Sequence, residues 1–145
     1  MNYIFSKAVS FKFAIWMIVL LSSVIIIFHF LVLLQIIPFE HVWAGKLKSV
    51  DEMYVYESIS IVVNCLLILI ILIKGQIINP NISPKVINTL LWIFVILFIL
   101  NTIGNLTAKT SLETIIATPL TFIFAVLCLR IVTDTKANNN HPRIK

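Results

Sequence analysis

The chain has 145 residues, of which 60% are apolar and 12% charged, with a formal net charge of +5. A soluble domain carries roughly half apolar and a quarter charged residues, so a water-soluble globule is excluded and the surplus must face lipid. The positive balance does not signal nucleic acid, because no compact basic patch with interleaved aromatic residues is available to follow a phosphate backbone.

About 20 mainly apolar residues cross about 30 Å of hydrocarbon, and the apolar residues fall into four such blocks. The first spans 13–37 and contains "IIIFHFLVLL", in which His29 stands alone among hydrocarbon side chains. Its apolar stretch is too long for the core of a secretory signal and no small-residue cleavage pattern follows, so it reads as a permanent helix. Pro38 ends it, and "PFEHVWAGKLKSVDEMY" follows. That connection gathers Glu40, His41, Trp43 and Lys46 into a candidate lid over the mouth of a bundle; the competing and favoured reading rests Trp43 and Phe39 among headgroups, where such aromatics ordinarily sit.

The second block covers 54–73 and is preceded by "SVDE", in which Ser49 and Glu52 have the spacing of a capping box. The helix is expected to begin there and to end near Lys74 and Gly75. The third block covers 86–103, entered through Ser83-Pro84 as cap and first helical residue, with Gly104 as its expected stop. The fourth covers 112–132, with a second capping box at Thr110 and Glu113. Pro119 interrupts it and leaves the Ile115 carbonyl without its usual donor, which a kink or a neighbouring hydroxyl must absorb. Residues 1–136 thus read as one all-α, four-helix transmembrane domain, and 137–145 as a polar tail.

Lys and Arg gather on the cytoplasmic side of membrane proteins. Lys7, Lys12, Lys74, Lys85, Arg130, Lys136, Arg143 and Lys145 fall at one end of the alternating spans, against Lys46, Lys48 and Lys109 at the other. Both termini are therefore expected in the cytoplasm. Five of the six acids, Glu40, Asp51, Glu52, Glu57 and Glu113, fall on the outer half, with Asp134 inside.

Helical rise of about 1.5 Å per residue assigns a depth to each polar residue in the spans. Measured from the inner ends, His29 and Glu57 lie at about 24 Å, Asn101 at about 22 Å and Thr118 at about 20 Å, so four helices each supply one polar group to one layer. Glu57, Ser60 and Asn64 share a helix face, and Thr114, Thr118, Thr121, Ala125 and Cys128 form a face of small residues on the fourth helix. Ionisable groups inside a membrane are costly and mark pathways, proton relays or ligand sites. The expected arrangement pairs His29 with Glu57, with Asn101 and Thr118 completing a pocket open to the outside. The structural alternatives are an interhelical clasp for His29 and a headgroup-level position for Glu57 beside Tyr54 and Tyr56.

Cys65 and Cys128 lie in different spans without C-x-x-C spacing, which disfavours a thiol oxidoreductase. No metal-ligand spacing and no cofactor motif is present, so no metal or cofactor is expected. At "FHFLVLLQIIPFEHVWAGKLKS", "VYESISIVVNCL", "NTIGNL" and "TPLTFIFAVLCLRI" the chain resembles a set of small four-span membrane proteins of Bacteroidetes-type bacteria. The resemblance implies a bacterial inner-membrane location and supplies no activity. Three function classes follow: binding or passage of a small polar or protonated solute; an intramembrane enzyme moving protons between His29, Glu57 and a lipid-like substrate; and an accessory protein for another membrane complex. The first is favoured over the enzymatic class. Expected partners are the bilayer and a second copy or another membrane protein, with no nucleic acid.

Overall fold

In the computed structural model, which describes residues 9–43, 47–108 and 113–134, four helices alternate in direction. They are α1 (Phe11–Leu33), α2 (Val50–Lys74), α3 (Pro84–Leu106) and α4 (Thr118–Val132). A 3-10 turn at Phe39–His41 lies between α1 and α2, and a π turn at Glu113–Ala117 leads into α4. The described residues contain no strand. The protein is an all-helical membrane bundle. All four helices are long and apolar enough to cross a bilayer, counting the fourth from Thr114.

Local chemistry sets the helix ends. Ser10 caps α1 by accepting from the Phe13 N–H at 3.1 Å. Ser49 caps α2 by accepting from the Glu52 N–H at 3.2 Å, while the Glu52 carboxylate accepts from the Lys48 N–H at 2.8 Å. The return arm of the expected capping box is present but reaches one residue further out than the cap. Thr110, the expected cap of the fourth helix, lies outside the described residues.

The first span was expected to continue to residue 37, whereas α1 stops at Leu33. Gln35 takes a left-handed backbone (φ 57°), its N–H bonds the Val32 carbonyl, and the Ile36 N–H bonds back to Leu31. This pattern, a Schellman motif, satisfies the last carbonyls and turns the chain. The same pattern closes α2 at Gln76 (φ 58°), whose N–H bonds Ile73 while the Ile77 N–H bonds Leu72. Gly75 serves another purpose. A Cβ there would lie 2.7 Å from the Ile15 Cδ1, so the glycine admits α1 to the end of α2. Gly104, expected to stop the third helix, lies within α3, which continues to Leu106.

Left-handed backbone costs a non-glycine residue about 1 kcal/mol. Gln76→Gly is therefore expected to stabilise the protein by about 0.5–1 kcal/mol. A rise of a few degrees in thermal unfolding in detergent would show it; a fall would mean that the Gln76 side chain holds the turn.

Each helix turns one face inward and leaves an apolar face outside. On α1, Ala14, Ile18, Ser22 and Val32 are buried, while Phe13, Trp16, Leu20, Val24, Ile27 and Phe30 are exposed at the spacing of one helical face. Such an outward belt of large apolar side chains suits acyl chains and no aqueous surface. The main core occupies the half of the bundle that holds Val9 and Val132, where Ile18, Leu67, Ile71, Leu91, Phe124 and Ile131 are fully buried. A second, smaller cluster of Val32, Val42 and Met53 lies beneath the α1–α2 connection, with Phe28 and Phe39 packed against it.

Polar bonds fasten this end of the bundle. Arg130 is buried; its Nε donates to the Val9 carbonyl at 2.8 Å and its Nη1 to Asp134 at 2.8 Å. Lys74 is also buried and donates to the Asn88 Oδ1 at 2.8 Å, tying α2 to α3.

Candidate functional site

The site lies between the two apolar clusters. His29 stands four residues before the end of α1, and Glu57 seven residues after the start of α2. With antiparallel helices and a common rise per residue, these offsets bring both groups to similar height. The His29 Nδ1 and the Glu57 Oε2 are 2.5 Å apart. The second carboxylate oxygen, Oε1, accepts from the Trp43 indole N–H at 2.8 Å. Glu57 is fully buried, and the His29 side chain is 14% exposed.

Trp43 reaches the carboxylate because the connection turns back over the helix ends. The 3-10 turn is followed by Trp43 itself in left-handed backbone (φ 55°), an unfavourable state for a bulky residue. Its ring packs on Tyr56 with centroids 5.1 Å apart. The edge of Phe28 packs near the imidazole at 5.9 Å.

A cavity of about 390 Å³ opens beside this triad. From α1 it is lined by Ile25, Phe28 and His29, and from the connection by Val42 and Trp43. The α2 wall carries Glu57, Ile59, Ser60, Val63, Asn64 and Leu67; the α3 wall carries Phe94, Leu97, Phe98, Asn101 and Asn105. From α4 and its entry come Ala117, Leu120, Thr121 and Phe124. Leu67, Phe94, Phe98 and Phe124 are buried core residues, so this end of the cavity is apolar. The Phe98 and Phe124 rings stack there at 4.8 Å. Polar groups collect toward the other end: His29, Trp43, Glu57, Ser60, Asn64, Asn101, Asn105 and Thr121.

Of the four expected pocket residues, His29, Glu57 and Asn101 line one cavity. Thr118 does not. It is half-buried outside the lining, and the α4 hydroxyl on the cavity wall is that of Thr121, which accepts from the Thr102 hydroxyl at 3.0 Å and from the Asn105 amide at 3.5 Å. The expectation for Thr118 rests on height, and height alone carries no information about direction around a helix. Among the lid candidates Trp43 bonds Glu57, while Glu40 is exposed and absent from the lining. Lys46 and the side chain of His41 lie outside what the structure describes.

The expected face of Glu57, Ser60 and Asn64 forms a continuous strip along the cavity. Ser60 donates to the Tyr56 carbonyl at 2.9 Å and Asn64 donates to the Ser60 carbonyl at 2.9 Å, so both side chains partly satisfy themselves within α2. Trp43 is the residue that sequence reasoning underrated. The signal available for it was an indole N–H in a connection leading directly into the helix that carries a carboxylate in the membrane.

The chemistry of the triad follows from its bonding. A carboxylate that accepts from the indole and from imidazole Nδ1–H orients the ring and fixes its tautomer, leaving Nε2 with a lone pair in neutral imidazole. Among the described residues Nε2 has no hydrogen-bond partner of its own. The arrangement can accept a hydrogen bond, or a proton, from a molecule in the cavity. No family model, curated protein or solved structure matches the chain.

Proposed function

We propose that this protein binds a small molecule within the outer half of a bacterial cytoplasmic membrane, with His29 as the group that meets the ligand's polar end. The observation that carries the reading is the His29–Glu57–Trp43 triad beside a cavity of about 390 Å³. A largely apolar cavity of this size with a few convergent polar groups is the usual form of a small-molecule site. The membrane location is supported by four spans, and the cytoplasmic assignment of the Lys- and Arg-rich end by the positive-inside tendency. The bacterial assignment rests on the resemblance to Bacteroidetes-type four-span proteins.

Binding is favoured over passage through a single chain. A polar solute moving inward from Asn64 would meet Leu67, Phe94, Phe98 and Phe124, then a fully buried apolar core extending through Ile71 and Leu91. Desolvating a polar group in such surroundings costs several kcal/mol, on the order of 2–7.

A second reading is supported by the same triad: an intramembrane enzyme in which His29, oriented through Nδ1, exchanges a proton with the ligand through Nε2. Chemical conversion of the bound molecule separates this reading from simple binding. The test of the site itself is native mass spectrometry of protein released from mild detergent. The wild-type chain is expected to retain a small molecule that folded His29→Ala and Glu57→Gln variants lose. An identical complement in all three would remove the site from consideration and leave the triad as a clasp between α1 and α2.

A further inference from the structure

We infer that the ligand is a hydroxyl-bearing, otherwise apolar molecule dissolved in the bilayer, and that it enters sideways between α2 and α3. This rests on the binding reading above and adds the class of ligand and its route.

The route follows from uneven packing. α1 lies closely on α2 and α3 closely on α4, whereas α2 and α3 approach each other sparsely although they are consecutive in the chain. The cavity occupies that gap, with Ile59 and Asn101 lining it from either side while remaining exposed. Toward the outer end, Val42 and Trp43 contribute to its wall, and Trp43 is bonded to Glu57. Ile59 and Asn101 therefore keep accessible surface on the two sides of the α2–α3 seam. A cleft open in this direction admits molecules already in the membrane.

The class follows from the distribution of polarity. Asn101 lies five residues before the end of α3, about 7.5 Å inside it by helical rise. Its amide makes no hydrogen bond to another described residue. An amide left unbonded in hydrocarbon is unfavourable, and this one shares the cavity with the His29 imidazole. A hydroxyl meets both needs: its O–H donates to Nε2 and its oxygen accepts from the Asn101 amide. Beyond that polar end the wall passes to Leu67, Phe94, Phe98 and Phe124, which suits an isoprenoid or alkyl body and offers nothing to a second polar group. Aliphatic and phenolic hydroxyls share this chemistry.

The experiment uses the full chain with Trp16→Phe and Trp92→Phe, both at lipid-exposed positions, so that Trp43 is the remaining tryptophan. In phosphatidylcholine nanodiscs, farnesol and 4-nonylphenol represent the two hydroxyl sources, farnesyl methyl ether the same body without a donor, and glycerol a polar solute without a body. At least one hydroxyl probe is expected to change Trp43 emission saturably, and the tighter one identifies the source. The ether is expected to bind about tenfold more weakly than farnesol where farnesol binds, the cost of one hydrogen bond. Asn101→Phe and, independently, Ser60→Phe should weaken the bound probe about tenfold or more by filling the cleft.

Equal response to farnesol and its ether, or no effect of either filling variant, would overturn the inference. Saturation by glycerol with both hydroxyl probes inert would also overturn it while leaving a polar-ligand site standing. Inertness of all probes together with an unchanged complement in the mass-spectrometric test would overturn both readings.

Discussion

Glu57→Gln is expected to leave the bundle folded while reversing the hydrogen-bond character of His29, whereas Glu57→Leu is expected to cost about 2–6 kcal/mol of stability. The difference lies in how many donors the buried carboxyl satisfies. Its two oxygens are bonded to the Trp43 indole and the His29 ring, and the residue has no exposed surface. Leucine fills a similar volume but leaves both partners unmet, and each such loss costs about 1–3 kcal/mol. Glutamine can meet both in a different way. Its oxygen accepts from Trp43 and its amide donates to Nδ1, which places the imidazole proton on Nε2. That tautomer presents a donor to the cavity where the parent presents a lone pair, so ligand retention should fall with little loss of fold.

Nitrogen-15 chemical shifts of the ring, in a background where His41 and His141 are replaced by Gln, report the tautomer directly. Thermal unfolding in detergent reports the fold. An unchanged tautomer in Glu57→Gln would show that the carboxyl does not orient the ring. Equal destabilisation by Gln and Leu would show that shape and charge, rather than hydrogen-bond count, hold the site.

The spans were legible because hydrocarbon thickness imposes a minimum length and because capping chemistry is local. Ser49 and Glu52 marked the start of α2 for that reason. The end of α1 was less accessible. Leu34, Ile36 and Ile37 are as apolar as the helix before them, so composition continues across a turn whose cause is the backbone state of Gln35. Depth was readable along every span, whereas direction around the helix was readable for the Glu57, Ser60 and Asn64 strip of α2 and was not used in choosing the α4 residue. Constant rise brought His29, Glu57 and Asn101 to one cavity, but the same calculation selected Thr118 where Thr121 faces inward, since height along α4 does not choose between residues of one helix that point in different directions. Trp43 carried a strong prior for the headgroup layer, and only tertiary structure reveals that its N–H finds Glu57. Lys74 and Arg130 follow the same pattern. Both count toward orientation as charges near span ends, yet both are buried, with partners in Asn88 and the Val9 carbonyl that no local spacing announces. The Arg130–Asp134 pair, four residues apart on a helix end, is the portion of that cluster that sequence spacing supports.

That inner cluster yields the second large effect: Asp134→Ala is expected to destabilise the protein by about 2–4 kcal/mol and more than Arg130→Met does. Arg130 and Asp134 have side chains only 7% and 15% exposed, and the Asp134 charge also acts on Lys74. Removing the acid therefore leaves two buried cations that both lose the same compensating charge. Removing the arginine loses the bond to Val9 but leaves a carboxylate beside Lys74, so charge remains balanced. Breaking a buried pair from one side costs about 3–5 kcal/mol in water-soluble proteins, and the lower range is expected here because a long cationic side chain near a span end can reach toward the interface. The double variant Arg130→Met/Asp134→Ala should recover stability relative to Asp134→Ala, since it removes the uncompensated guanidinium. Thermal unfolding of the three variants in one detergent gives the order directly. If Asp134→Ala proves the mildest of them, charge balance is not what secures the inner end, and the Val9 bond alone must account for the burial of Arg130.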